Sequence, residues 1–349
     1  AQYYNYQLSL TELVVQVYSS DYIGAYFDLI NVRDGVTIIP QMYYSVPGSF
    51  EKSEFVLDIA SLITIHQISV QLNLTFSKKF LIGQSSVEYI RSYLKMQKAE
   101  PKKKIGMNIT LDGVSKTNIP ETATDNNIKY LNNLINWIDA NCIVTISEDK
   151  LDITRKLDNG RDDGIMEIFV ENASLLKSND KRLLITDDSI YLKFFPLKGG
   201  QILSSELFMK SEFQSREDIQ YEFLKNNFLG ITVSSDQLTN EFNKKLKLQP
   251  NSFINCLNNT SLRIIPNDDT IFTVVKFLKK IAADPAVSPD FFIQESTAVL
   301  INLLKGQGSI EPYKKTESLL KEEFKLMGTK LDDVLISFSN ALMILKIRL

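Results

Sequence analysis

From residue 54 onward the chain alternates short, wholly apolar runs with longer amphipathic stretches. EFVLD (54–58), KFLIGQ (79–84) and RLLITDD (182–188) each carry a few apolar residues and stop abruptly at polar ones. Runs of that length suit strands buried on both faces of a parallel sheet. Between them, SSVEYIRSYLKMQ (85–97), NNIKYLNNLINWIDA (126–140) and DDGIMEIFVENASLLK (162–177) space their apolar residues at helical intervals. The alternation predicts an α/β domain, a central parallel sheet flanked by helices, over residues 51–200.

The pattern differs on either side. Residues 1–50 combine aromatic and β-branched runs, ELVVQVYSS (12–20) and GVTIIPQMYYSV (35–46), with an apolar piece at YIGAYFDLI (22–30), and end in the turn-forming VPGS (46–49). They predict a β-containing lead-in. Beyond residue 200 the helical period dominates, in REDIQYEFLKNNFLGI (216–231), TIFTVVKFLKKIAADP (270–285), FFIQESTAVLINLLKG (291–306) and KLDDVLISFSNALMILKI (330–347). A mainly α-helical C-terminal domain over 201–349 follows. The polar, turn-rich 98–127 reads as an exposed loop or insertion within the α/β domain.

Composition then excludes several chemistries. A net charge of −3 supplies no global field toward nucleic acid or an anionic membrane, so any phosphate contact must be local. Two cysteines, Cys142 and Cys256, make neither a disulfide framework nor a zinc site and fit a reducing, cytoplasmic setting. The single histidine, His66, rules out a multi-histidine metal site and fits a core position in SLITIHQIS. No stretch has the run of apolar residues a membrane-spanning helix needs. The chain starts without methionine, which points to a processed chain or a piece of something longer.

What remains is a set of acids. Asp58 closes the first apolar run, and Asp187 and Asp188 close the last, where open α/β sheets place their ligands. Each has a structural alternative: Asp58 as a helix cap, the pair as a turn. Glu88 falls in the first turn of the helix after the second run, and either faces solvent or joins the acids. Asp162 and Asp163 open the 162–177 helix and Glu167 lies on the margin of its apolar face, so two oxygen ligands can leave one helix together.

The order strand-Asp, helix-Glu, helix-Asp, strand-Asp resembles the PIN-like nuclease family, of the kind embedded in larger bacterial multidomain proteins. The resemblance rests on Asp58-Ile-Ala-Ser61, on Glu88, on an acid opening the helix that holds Ala173, and on Leu184-Ile-Thr186-Asp187-Asp188. It covers about 150 residues, with 98–127 and the 163–186 spacing as departures. It implies a divalent-metal-dependent endoribonuclease using Mg²⁺ or Mn²⁺. Asp58, Glu88, Asp163 and Asp188 would be catalytic, Asp187 a further ligand, and the third acid one of Asp162, Asp163 and Glu167. Ser61 or Thr186 would orient water or phosphate.

Single-stranded or structured RNA is the substrate the resemblance implies, held by Lys102, Lys103 and Lys104. Lys78, Lys79, Lys98, Lys181, Arg182 and Lys193 are further local cations. The rival expectation is a catalytically weak domain serving as a regulatory or scaffolding module, with the helical half binding a protein partner. Haloacid-dehalogenase chemistry is excluded because Ala60 stands where its second Asp would be, and the chain has no Gly-rich phosphate loop.

Overall fold

The computed structural model describes residues 9–17, 21–31, 53–99, 104–110, 113–119, 121–147, 165–191, 202–214, 216–226, 228, 230–262 and 268–347. These divide into two units, and the chain passes from one to the other after Ile219. Among the described residues no helix is long and apolar enough to cross a membrane.

The first unit is built on five parallel strands: β1 (Glu54–Leu57), β2 (Phe80–Gly83), β5 (Cys142–Thr145), β6 (Arg182–Ile185) and β7 (Ile202–Leu203), in the order β5-β2-β1-β6-β7. Leu57 pairs with Ile82 on one side and Ile185 on the other, so the strand ends lie level. β1, β2 and β6 are buried nearly throughout, as their unbroken apolar runs require. Helices α3 (Ile59–Gln71), α4 (Gln84–Ala99), α5 (Glu121–Asn141) and α6 (Ile165–Lys177) connect them.

Strand order reverses at β1. The chain first moves outward through β2 to β5, then returns to place β6 on the other side of β1. That reversal is a topological switch point at the carboxyl ends of β1 and β6, the position at which open α/β sheets take ligands.

Four features depart from the sequence reading. Leu10–Val17 and Tyr22–Asn31 are helices, α1 and α2, where a β-containing lead-in is expected. The cause is capping: Glu12 N–H donates to Ser9 Oγ at 3.1 Å and Ser9 N–H donates to Glu12 Oε2 at 2.5 Å, a reciprocal box that outweighs the β-branched composition of LTELVVQV. Asp21 does the same for α2, accepting from Gly24 N–H at 2.8 Å. Second, the expected loop at 98–127 holds an antiparallel pair, β3 (Lys104–Thr110) with β4 (Gly113–Ile119), in register from Lys104 opposite Ile119 to Thr110 opposite Gly113. Third, β5 is an edge strand that the reading overlooked, with Ile143 and Val144 exposed. Fourth, β7 and α7 (Ser205–Glu212) extend the sheet unit beyond residue 201.

The second unit is helical, as expected: α9 (Ser235–Leu246), α10 (Phe253–Asn258), α11 (Asp268–Ala283), α12 (Pro289–Leu304), α13 (Glu311–Phe324) and α14 (Thr329–Leu345), following α8 (Glu217–Lys225), within which the chain leaves the sheet unit. Ser234 and Ser288 cap α9 and α12, and Phe242, Phe253, Phe277, Phe292 and Phe324 are fully buried in its core.

Candidate functional site

The carboxyl ends of β1 and β6 bring three aspartates to one edge. Asp58 is 1% exposed, Asp187 2% and Asp188 1%. Asp58 is the N-cap of α3: its Oδ1 accepts from Ser61 N–H at 2.7 Å, and Ser61 Oγ accepts in return from Asp58 N–H at 3.2 Å. The capping role and the strand-end role thus coexist in one side chain. Its other oxygen accepts from the Thr186 hydroxyl, which in turn accepts from Asp188 N–H at 3.0 Å. Ser61 Oγ also donates to Ile185 O at 2.6 Å, stitching α3 to β6.

The two neighbouring aspartates diverge. Asp187 turns toward α3 and α7, accepting from Thr64 Oγ1 at 3.0 Å and from Ser205 N–H at 2.9 Å. Asp188 turns toward the N-terminal helices: Oδ2 accepts from Thr11 N–H at 2.9 Å, Thr11 Oγ1 at 2.5 Å and Tyr22 Oη at 3.0 Å, while Oδ1 accepts from Ile190 N–H at 3.1 Å.

All these donors are neutral. Among the described residues no Lys, Arg or His forms an ion pair with Asp58, Asp187 or Asp188. Burial therefore dominates their titration. It pushes the Asp58 carboxyl up to about 7, against the hydrogen bonds from Thr186 and Ser61 and helped by the charge of Asp187. Asp187 and Asp188 are raised for the same first reason, with hydrogen bonds from Ser205 and Thr11 opposing.

The remaining expected acids are placed differently. Glu88 lies one turn inside α4 on its exposed face and accepts from Gln84 Nε2 at 2.5 Å, so it does not join the aspartates. Glu167 is exposed on α6. Asp162, Asp163, Lys102 and Lys103 lie outside the described residues, and Lys104 opens β3. Lys78, Lys79, Lys181 and Arg182 flank the amino ends of β2 and β6, opposite the acids, and Arg182 is paired with Glu54 at 2.9 Å.

One acid that the sequence reading passed over belongs to this edge. Glu171 on α6 accepts from Ser85 N–H at 2.8 Å, at the start of α4. It fits because β2 ends in glycine: a Cβ on Gly83 would collide with Glu171 Oε2. Its signal was the four-residue spacing from Glu167. Beside it Asn172 donates to Tyr191 Oη at 2.9 Å, and its buried carbonyl oxygen has no hydrogen-bond partner among the described residues.

Among the described residues, no three acids or other ligating side chains come together as a ready metal cage. Each oxygen of the three carboxylates has a neutral donor, but among the described residues none has a cationic partner to balance its charge, and the buried Asn172 oxygen has no donor. That chemistry fits a hard divalent cation, which prefers oxygen ligands and retains waters. A further ligand would have to come from nearby. Lys177 ends α6 beside the amino end of β6, where Arg182 Nη1 donates to Leu175 O at 3.0 Å, so Ile165 begins α6 at the carboxyl edge. Asp163 and Asp162 precede it by two and three residues.

The sequence model of one family, a PIN domain associated with the TPR-GreAB-C-PIN system, matches residues 56–195, the stretch holding every strand-end acid described above. No curated protein and no solved structure matches the chain.

Proposed function

We propose, with residues 56–195 being a PIN domain, that this edge is a divalent-metal site for phosphodiester cleavage and that RNA is its substrate. The observation that carries the reading is the buried trio Asp58, Asp187 and Asp188 at the β1/β6 switch point, without a cationic partner among the described residues. Asp58 and Asp188 would be the direct ligands, with Asp162 or Asp163 completing the set from the start of α6. Asp187, held by Thr64 and Ser205, would serve as a further ligand or a fixed negative charge. Mg²⁺ or Mn²⁺ bound there would lower the pKa of a water and stabilise charge developing on the phosphate.

The chain's own part is positioning. Ser61 and Thr186 fix both Asp58 oxygens and hold β1 to β6, so that the acids are preorganised rather than gathered by the ligand. Glu88, being exposed on α4, drops out of the ligand set in this reading. The family's printed association with a TPR-GreAB-C-PIN system supports work inside a multidomain assembly, with the helical unit offering a protein-binding surface.

The test is cleavage of an end-labelled single-stranded RNA by the full chain at saturating Mn²⁺, wild type against Asp58→Asn. Product from the wild type alone is expected. Equal product from both proteins, or none from either, overturns the reading.

A further inference from the structure

The N-terminal helices supply three of the four donors to Asp188. Thr11 gives its backbone N–H and its hydroxyl, and Tyr22 its phenol, all to Oδ2. Ile190 N–H occupies Oδ1. A carboxylate oxygen has about two lone-pair directions in its plane, so three donors on Oδ2 and one on Oδ1 leave Asp188 almost no acceptor capacity for a cation. A second contact reaches Asp187: Tyr26 Oη bonds the Thr64 hydroxyl, which donates to Asp187 Oδ2 at 3.0 Å.

Apolar packing seats the same helices. Leu10, Val14, Tyr22, Ile23, Ala25 and Tyr26 are each at most 1% exposed, and the Tyr22 ring meets Phe169 of α6 edge-on with centroids 6.3 Å apart. The entry of α2 is tied to α4, because Tyr22 N–H donates to Tyr89 Oη at 3.1 Å.

From this we infer that α1 and α2 form a self-supplied plug, whose hydroxyls stand in for a divalent cation at Asp188. Metal binding and seating of the plug then exclude one another, and the domain is latent at low cation until residues 9–31 are drawn off or are displaced by saturating cation. The inference rests on the metal-site reading above, but its readouts separate the two. Hydroxyl groups are the active part, so the discriminating protein is the full chain carrying Thr11→Val and Tyr22→Phe, which keeps both shapes and the buried rings.

Mn²⁺ binding is measured calorimetrically on wild type and on this double variant. Removing two hydrogen bonds to a charged group is expected to tighten Mn²⁺ binding roughly tenfold or more. In parallel, hydrogen exchange in Leu10–Val17 and Tyr22–Asn31 of the wild type is followed with and without Mn²⁺, which needs no substitution. Faster exchange confined to those helices on adding Mn²⁺ is the expected result. Equal affinities in the two proteins, no binding to either, or exchange in α1 and α2 that is unmoved by saturating Mn²⁺ would each overturn the plug. Tighter binding with no RNA cleavage by either protein would keep the plug and sink the nuclease.

Discussion

The Thr186 hydroxyl donates to the carboxylate of Asp58 across the β1/β6 seam, and the same oxygen accepts Asp188 N–H at 3.0 Å. One hydroxyl thereby satisfies a buried carboxylate oxygen and a buried amide on adjacent strand ends. Thr186→Val has the same shape and neither bond. Leaving two buried groups unpaired is expected to lower unfolding free energy by about 3 kcal/mol, read from urea denaturation of the sheet unit. Thr186→Ser is expected to recover most of it, and a valine variant as stable as wild type would show that the hydroxyl is incidental.

Replacing the acids by amides should divide them by the donors they face. Asp58 takes one obligate donor, Ser61 N–H, and one hydroxyl that can turn to accept. In Asp58→Asn the new amide satisfies both and relieves a buried like charge beside Asp187. Asp188 faces obligate donors on both oxygens, Thr11 N–H and Ile190 N–H. An asparagine has one acceptor oxygen, so one of those amides is stranded. Asp188→Asn is expected to be less stable than Asp58→Asn by roughly 1–3 kcal/mol at neutral pH. The reverse order in paired denaturation curves would refute the donor assignment.

The strand-end acids were legible because two signals coincided in EFVLD and RLLITDD: an apolar run short enough to be a strand, and an acid at its carboxyl end. Helices α4, α5, α6, α8, α11, α12 and α14 were legible from period alone, whereas α1 and α2 were not. Thr11 and Tyr22 were not, since they meet Asp188 across 177 and 166 positions of sequence, and no local pattern encodes such a pairing. β7 is only Ile202–Leu203, too short to carry any periodicity. In α1 the Ser9–Glu12 box was readable, yet the Val-rich composition obscured it.

Gly83 and Glu171 offer a test of coupling. Gly83→Ala would push the Glu171 carboxylate off Ser85 N–H, uncapping the first turn of α4. Loss of that contact is expected to cost on the order of 1 kcal/mol. In a Glu171→Ala background the displaced group is gone, only a 3.2 Å approach to Asn172 Oδ1 remains, and the alanine at 83 should cost little. The double-mutant cycle is therefore expected to show a coupling energy of about the single-variant loss. Additive losses would mean that the glycine is needed for something other than room for Glu171.

His66 makes the sheet unit sensitive to acid. It is 3% exposed, with its Nδ1 3.1 Å from Tyr130 Oη and its ring edge-on to Tyr130 and Trp137. Burial lowers its pKa from 6.5 to about 4. Because the folded value lies below the unfolded one, the unfolded chain binds the proton first. Stability is thus intact above about pH 6.5 and falls as pH drops toward about 4. Between about pH 7 and pH 5 this one group is expected to remove about 2 kcal/mol. His66→Gln, which cannot be protonated, should be less stable than wild type at neutral pH yet lose correspondingly less on acidification. Parallel losses in the two proteins across that interval would assign the acid sensitivity to other groups.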